Sequence, residues 1–332
     1  MPDGHTTITL PINRRFSVAP MMDWTDSYCR YFHRLLSKKT LLYTEMVTTG
    51  ALIHGDRHRH LHHHKIEHPI ALQLGGSDPR ALAKSVHFAN GYSYDEINLN
   101  CGCPSDRVQS GKFGAILMKD APLVADCFQA MQDSTETPIT IKHRIGIDDE
   151  ESYQFLCDFV GTVSAAGCKT FIVHARKAWL SGLSPKQNRE IPPLDYERVY
   201  QLKRDFPHLE IIINGGIKTL EETEEQLQHV DGVMMGREAY HNPYLLAQVD
   251  RKIYHSNQPA PSRTQILEQF SDALASELAK GVKLSYITRH ILGLYQGVPG
   301  ARKFRRHISE NAHRPNAGTE VLYQALSYMT AQ

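Results

Sequence analysis

The sequence predicts an α/β protein, a (β/α)8 barrel of the TIM type followed by a C-terminal helical domain, and three observations carry that expectation. Short β-rich runs alternate with helical stretches between Phe16 and Met235, the pattern of parallel βαβ units. Eight such runs within roughly 240 residues match the count and size of a closed barrel. Polar residues recur where the runs end, and a barrel gathers all such ends at one mouth. An open doubly wound sheet is the alternative, but no GxGxxG turn follows any run to favour it.

In order, the runs are Phe16–Ala19, Leu41–Thr44, Ile70–Leu74, Glu96–Asn100, Ile139–Lys142, Thr170–His174, Ile211–Asn214 and Gly232–Met235. Their polar ends read Pro20-Met21-Met22-Asp23, Gln73, Asn100, Lys142-His143-Arg144, His174-Ala175-Arg176, Asn214-Gly215-Gly216 and Gly236-Arg237. Beyond Asp250 strand-like runs cease. The linker Asn257-Gln258-Pro259-Ala260-Pro261 leads into Ser262-Arg263-Thr264-Gln265, a capping box in which Ser and Gln satisfy the free backbone donors of a helix start. Ile266, Phe270, Leu274 and Leu278 follow at four-residue spacing, which makes an amphipathic helix. Leu284–Leu294 and Glu320–Met329 read as further helices. The expected divisions are an N-terminal extension at 1–15, a barrel at 16–250 and a helical domain at 257–332.

Composition bounds the function. Hydrophobic residues make up 41% and charged residues 22%, as in soluble globular proteins, and no run approaches the roughly 18 apolar residues of a membrane span. Met1 to Arg15 contain no apolar core of a secretion signal, so a cytoplasmic protein is expected, with no membrane role. Cys29, Cys101, Cys103, Cys127, Cys157 and Cys168 form no C-x-x-C pair and read as reduced thiols rather than a disulfide framework or a zinc site. His54, His58, His60, His62, His63, His64 and His68 crowd one stretch, which invites a metal reading. No HExxH or carboxylate pattern accompanies them, and a partly solvated connection after the second strand explains them without a metal.

The net charge of +1 hides an uneven distribution. From Lys283 to Arg314 seven cations stand against the single acid Glu310, a segment of +6 that leaves −5 for the remainder. Such a block is the footprint expected for a polyanion, although a solvated helical face has the same composition.

The residues at the strand ends suggest redox chemistry. Asn214-Gly215-Gly216 and Gly236-Arg237 close the seventh and eighth runs, where these barrels bind phosphate through closely approaching backbone N–H groups, and Arg237 adds a charged donor. Gln73 and Lys142 stand where donors meet the edge of a flavin, and a lysine near its pyrimidine carbonyl stabilises the anionic reduced ring. His174 adds a phosphate-side or ring contact. Each residue alone reads equally as a barrel-mouth hydrogen bond; together they fit flavin mononucleotide. Finally, the alternation Ile97-Asn98-Leu99-Asn100 runs into Cys101-Gly102-Cys103-Pro104, delivering a thiol to the end of the fourth strand. A buried structural cysteine before an ordinary turn is the plainer reading of that thiol.

The sequence resembles the tRNA-dihydrouridine synthases, subfamily A, over almost its whole length. The matching segments are Phe16 to Asp26, Leu42 to Ala51, Leu72 to Ser77, Asn100 to Val108, His174 to Ser184 and Gly297 to Arg302. The resemblance implies FMN as cofactor, NADPH as reductant and D-loop uridines 20 and 20a of tRNA as substrate, with no obligate protein partner. It implies flavin contacts at Pro20, Met21, Met22, Gln73, Lys142, His174, Asn214, Gly215, Gly216, Gly236 and Arg237, and a proton donor at Cys103. Asn100 is expected at the extruded uracil or its ribose, and Lys186, Arg189, Arg302 and Arg305 on the tRNA. Cys101 departs from the family pattern, which has an apolar residue there, so the donor's assignment to Cys103 rests on its place before Pro104. Two other classes compete: a flavin barrel reducing a small pyrimidine or enone, which has no use for the basic tail, and a non-catalytic RNA-binding barrel, which has none for Cys103 or Lys142.

Overall fold

Eight strands fold as the alternation predicts: β1 (Phe16–Val18), β2 (Leu41–Thr48), β3 (Ile70–Gly75), β4 (Glu96–Cys101), β5 (Ile139–Arg144), β6 (Thr170–His174), β7 (Glu210–Asn214) and β8 (Gly232–Met235). Each pairs in parallel with the next, and β1 pairs with β8, so the sheet closes into a barrel without an edge. The computed structural model describes residues 12–105, 108 and 111–330. Most of the expected N-terminal extension (1–11), part of the segment after Cys103 (106, 107, 109 and 110) and the last two residues of the chain lie outside the described residues. Among the described residues, no helix is long and apolar enough to cross a membrane.

The helices between strands start where a side chain can satisfy free backbone donors. Asp26, Asp78, Asp120, Ser152, Asp195 and Thr219 each accept a hydrogen bond from the N–H three residues on. Each such cap stabilises its helix by about 1 kcal/mol. Outward strand residues such as Ile97, Leu99, Ile141 and Val173 join the helices in one apolar layer. The inward layer is smaller and includes Leu41, Ala71, Ile172, Ile212 and Met234.

A polar column runs up the barrel's interior beside that inner layer. At its floor Arg14 donates to Glu96 at 2.6 Å and to Glu210 at 3.0 Å. Tyr43 (2.5 Å) and Thr140 (2.7 Å) also donate to Glu96, whose side chain is fully buried. Asn98 then donates to Thr140 at 2.8 Å, and Gln73 to Asn98 at 2.8 Å. Because a strand's side chains alternate, Glu96, Asn98 and Asn100 all face inward from β4.

The last part of the chain is helical. The helix Arg263–Ala279 begins with the expected Ser262/Gln265 capping box and buries Ile266, Phe270 and Leu274. Helix Ala301–Asn311 buries Ala301, Phe304 and Ile308 and leaves Arg302 on its outer face, and Glu320–Thr330 closes the chain. The segment Leu284–Leu294 corrects the sequence reading: it is α-helical only over Leu284–Thr288. Thereafter the N–H groups of His290, Ile291 and Leu294 bond to carbonyls three residues back. Gly293 explains the tighter path, since it lies so close to the His241 carbonyl that a Cβ would stand 2.3 Å from that oxygen.

The floor of the column makes a direct prediction. Arg14→Ala leaves the buried Glu96 carboxylate without its cation, and the unfolding free energy should fall by about 3–5 kcal/mol. Urea denaturation checks this; a loss below about 1 kcal/mol, the value of an exposed pair, would contradict it.

Candidate active site

The turn that follows β4 separates the two thiols at its end. Cys101 points outward into the helix-side layer, is fully buried, and burial pushes its thiol well above the ordinary range. The strand ends there, and the turn through Gly102 carries Cys103 into a partly open position. Continued alternation would point residues two apart to the same side; the turn after Cys101 breaks it and parts the two thiols. Cys103 Sγ lies 3.5 Å from Ser105 Oγ. Its carbonyl accepts from the N–H of Ala115 at 2.9 Å, an approach that needs Gly114 at φ +76°, where a Cβ would come within 2.5 Å of that carbonyl oxygen.

Asn100 fixes this turn. Its Oδ1 accepts from the N–H groups of Gly102 (3.1 Å) and Cys103 (2.9 Å), while its Nδ2 donates to Gln73 Oε1 at 2.9 Å. The residue expected at the substrate is thus engaged at both ends of its carboxamide within the protein, at the top of the polar column. Gln73 is likewise buried between Asn98 and Asn100.

The other inward residues at this mouth are cationic. Lys142, on β5, donates to Asn214 Oδ1 at 3.1 Å, and burial, with Arg144 and Arg189 nearby, pushes its ammonium down to about 7. Arg144, two residues on and 3% exposed, spreads its guanidinium over three loops. Its Nε donates to the Gly102 carbonyl at 2.9 Å and its Nη1 to the carbonyls of Lys177 and Asn188 at 3.0 Å each. Burial lowers Arg144 to about 9, and burial followed by repulsion from Arg144 and Lys142 holds His174 neutral. Among the described residues neither Lys142 nor Arg144 meets a carboxylate. Buried cations without counter-charges are costly, so the mouth is built for an anion.

The glycine loops fit that role. Gly215 (φ +120°) and Gly216 (φ +75°) hold backbone conformations that a side chain resists, and a Cβ on Gly215 would stand 2.7 Å from the His174 ring. Gly236 differs, because a Cβ there would meet nothing within 4 Å. Packing therefore does not demand a glycine at 236, and its bare backbone faces open space at the end of β8. This cradle and the cations suit a phosphorylated, anionic cofactor. Pro20 and Met21 are partly buried and Met22 is exposed in the turn after β1, which is tied by the N–H groups of Trp24 and Thr25 to the Met21 carbonyl.

Five expected residues are less committed. Arg237 sits in an exposed pair with Glu190 at 2.5 Å, which a ligand can displace at little cost. Lys186 and Arg189 lie exposed on the loop after β6. Arg302 and Arg305 share a face of Ala301–Asn311, with Arg305 donating to Gln296 at 3.1 Å. Sequence reading named Arg144 only as part of a polar strand end, without a role, and missed Asn188 and Gly114. Arg144 stands two residues after Lys142, so the period of the strand already placed it at the mouth; nothing local marked Asn188, whose role depends on a loop folding back. The histidine tract holds no group of three or more metal-ligating side chains among the described residues, and His68 instead bonds Asp95 at 2.7 Å.

A closed parallel barrel whose mouth carries a partly open thiol, cations without carboxylate partners among the described residues and glycine loops at the ends of β7 and β8 is the framework of a barrel oxidoreductase. Residues 17–330 match the dihydrouridine synthase (Dus) family. The chain is 61% identical over 318 residues to a tRNA-dihydrouridine(20/20a) synthase of Yersinia pestis, spanning 96% of this chain and 92% of that one. It is 63% identical over 313 residues to one of Escherichia coli strain K12, 94% of this chain and 90% of that one. A 2-naphthoyl-CoA reductase complexed with 2-naphthoyl-CoA shares the fold at a TM-score of 0.56 and 9% identity, over 71% of this chain and 49% of that one. The chain belongs to the dihydrouridine synthase family, whose members are flavin-dependent oxidoreductases.

Lys142 makes the buried charge measurable. Its folded value of about 7 lies below the unfolded 10.5, so between these the unfolded chain binds more protons and stability rises with pH. The contribution is present above the unfolded value and lost as pH falls through the folded one. In cofactor-free protein, Lys142→Met should therefore gain most over wild type near pH 7 and least near pH 10.5 in paired urea titrations. A gain independent of pH would contradict the burial of a charged ammonium.

Proposed function

We propose that this protein reduces the C5=C6 bond of D-loop uridines 20 and 20a in tRNA, with FMN as cofactor and NADPH as reductant. The observation that carries the reading is the pairing of a partly open Cys103 with a buried Arg144 and a half-buried Lys142, neither of which meets a carboxylate among the described residues. The names of the relatives at 61% and 63% identity support the substrate and its positions.

Lys142, Gln73, His174 and the Asn214-Gly215-Gly216 and Gly236-Arg237 loops would hold the flavin, with Pro20, Met21 and Met22 along the first strand's end. When bound, the reduced flavin supplies a hydride to uracil C6. The electrons of the C5=C6 bond then move toward C5 and the C4 carbonyl, and C5 must receive a proton. Cys103 Sγ gives that proton, and the charge left on sulfur faces Lys142, Arg144 and Arg189, all within its electrostatic reach. NADPH restores the electron pair and solvent restores the thiol's proton. Asn100 orients the Cys103 turn.

The uridine lies inside a folded RNA and must leave its stack to reach this mouth. Lys186 and Arg189 on the loop after β6, and Arg302 and Arg305 on the helical part, would grip the tRNA around it. Those exposed cations favour this substrate over a free pyrimidine or enone, which would not need them, while Cys103 and Lys142 have no purpose in a purely RNA-binding barrel. The same reading places the enzyme in the cytoplasm with its substrate.

Two alanine variants test the chemistry. Cys103→Ala should keep its flavin and its reduction by NADPH but lose dihydrouridine formation by roughly 10²–10⁴-fold. Cys101→Ala, altered only in the helix-side layer, should turn over as wild type. Mapping dihydrouridine in tRNA after reaction with each variant reads the result. An active Cys103→Ala would mean that solvent supplies the proton, and absence of dihydrouridine at positions 20 and 20a with wild-type enzyme would overturn the function.

A further inference from the structure

Trp179 is 41% exposed on the loop after β6, and a single exposed apolar residue is ordinary on any surface. Its mounting is not ordinary. The carboxamide of Asn188, fully buried, binds the Trp179 backbone on both sides, accepting from its N–H and donating to its carbonyl at 2.8 Å each. On either side, Ala178 exchanges backbone hydrogen bonds with Gly146 and Asp148, and the Leu180 N–H donates to Asp148 Oδ1 at 2.8 Å. The carbonyl of the same Asn188 accepts from Arg144, whose Nε holds the Gly102 carbonyl next to Cys103. The Trp179 backbone is therefore fastened, through Asn188 and one guanidinium, to the turn that carries the proton donor.

Its neighbours are cations. Lys177 Nζ lies 5.5 Å from the ring centroid, and Lys186 and Arg189 are exposed on the same loop. An aromatic side chain on a firmly held backbone among cations is the arrangement that binds single-stranded nucleic acid, the ring stacking a base while the charges follow the phosphates. Extruding one uridine leaves a neighbouring base without a stacking partner, and a fixed indole near the mouth replaces that partner. Resting on the tRNA reading above, we propose that Trp179 is a stacking platform for an unstacked D-loop nucleobase flanking the extruded uridine. It thereby holds the RNA open and in register with Cys103.

Stacking and phosphate contacts differ in their salt dependence, because only the latter release counterions. In holoenzyme, Trp179→Ala should weaken tRNA affinity by roughly 5- to 150-fold with the slope of log affinity against log salt unchanged. Trp179→Phe should restore most of the affinity and Trp179→Leu should not, and flavin reduction by NADPH should be normal in all three. A spectroscopic arm does not depend on these variants folding well. The chain has two tryptophans, so in Trp24→Phe protein the emission of Trp179 is observed alone, and it should be quenched by tRNA but not by heparin. Unchanged affinity in Trp179→Ala, a reduced salt slope, equal rescue by Leu, or emission indifferent to tRNA would each overturn the proposal. Dihydrouridine formed normally by Trp179→Ala would sink the platform alone, whereas wild-type enzyme that fails to bind tRNA would sink the substrate reading beneath it.

Discussion

The carboxamide of Asn100 joins the two halves of the proposed chemistry. Its oxygen holds the N–H groups of Gly102 and Cys103, and its nitrogen holds Gln73, which is expected at the cofactor. Below it Gln73, Asn98, Thr140, Glu96 and Arg14 continue as an unbroken hydrogen-bonded column to the barrel floor. Polar groups buried this deeply are stabilising only while every partner stays in place, so the column fixes the mouth's geometry as well as filling the core. The Cys103 turn is therefore tied to the barrel's own interior.

Charge follows from the same architecture. The inward period of β5 brings Lys142 and Arg144 to the mouth, and neither finds a carboxylate among the described residues. Folding thus buries positive charge at some cost to stability, and an anionic cofactor would offset that cost by supplying the missing counter-charge. Arg144 also uses its guanidinium structurally, drawing the Cys103 turn, the Lys177 turn and the Asn188 turn onto one residue. The turn beside Cys103 and the loop after β6 are consequently linked through a single side chain.

Much of this was legible in the sequence because it depends on local period. All eight strands were visible as alternating or β-rich runs, and the Ser262/Gln265 capping box announced its helix. The strand ends named most of the mouth. What escaped depended on contacts distant in the chain. Nothing near Asn100 in the chain shows that Gln73, 27 residues earlier, would engage its carboxamide. Asn188 and Arg144 meet only when the loop after β6 folds back over β5. Cys101 and Cys103 looked equivalent until the strand was seen to end between them, and Gly293, pressed against the His241 carbonyl, shortened a helix that its apolar spacing had predicted.

The central claim, that Asn100 acts by holding the Cys103 turn, is tested most directly by a double-mutant cycle on dihydrouridine formation with pre-reduced enzyme. If Asn100 acts only through Cys103, Asn100→Ala should slow product formation greatly in the wild-type background, and Asn100→Ala/Cys103→Ala should be no slower than Cys103→Ala alone. Losses that multiply in the double variant would show Asn100 acting on the substrate independently of the thiol, and would contradict the account.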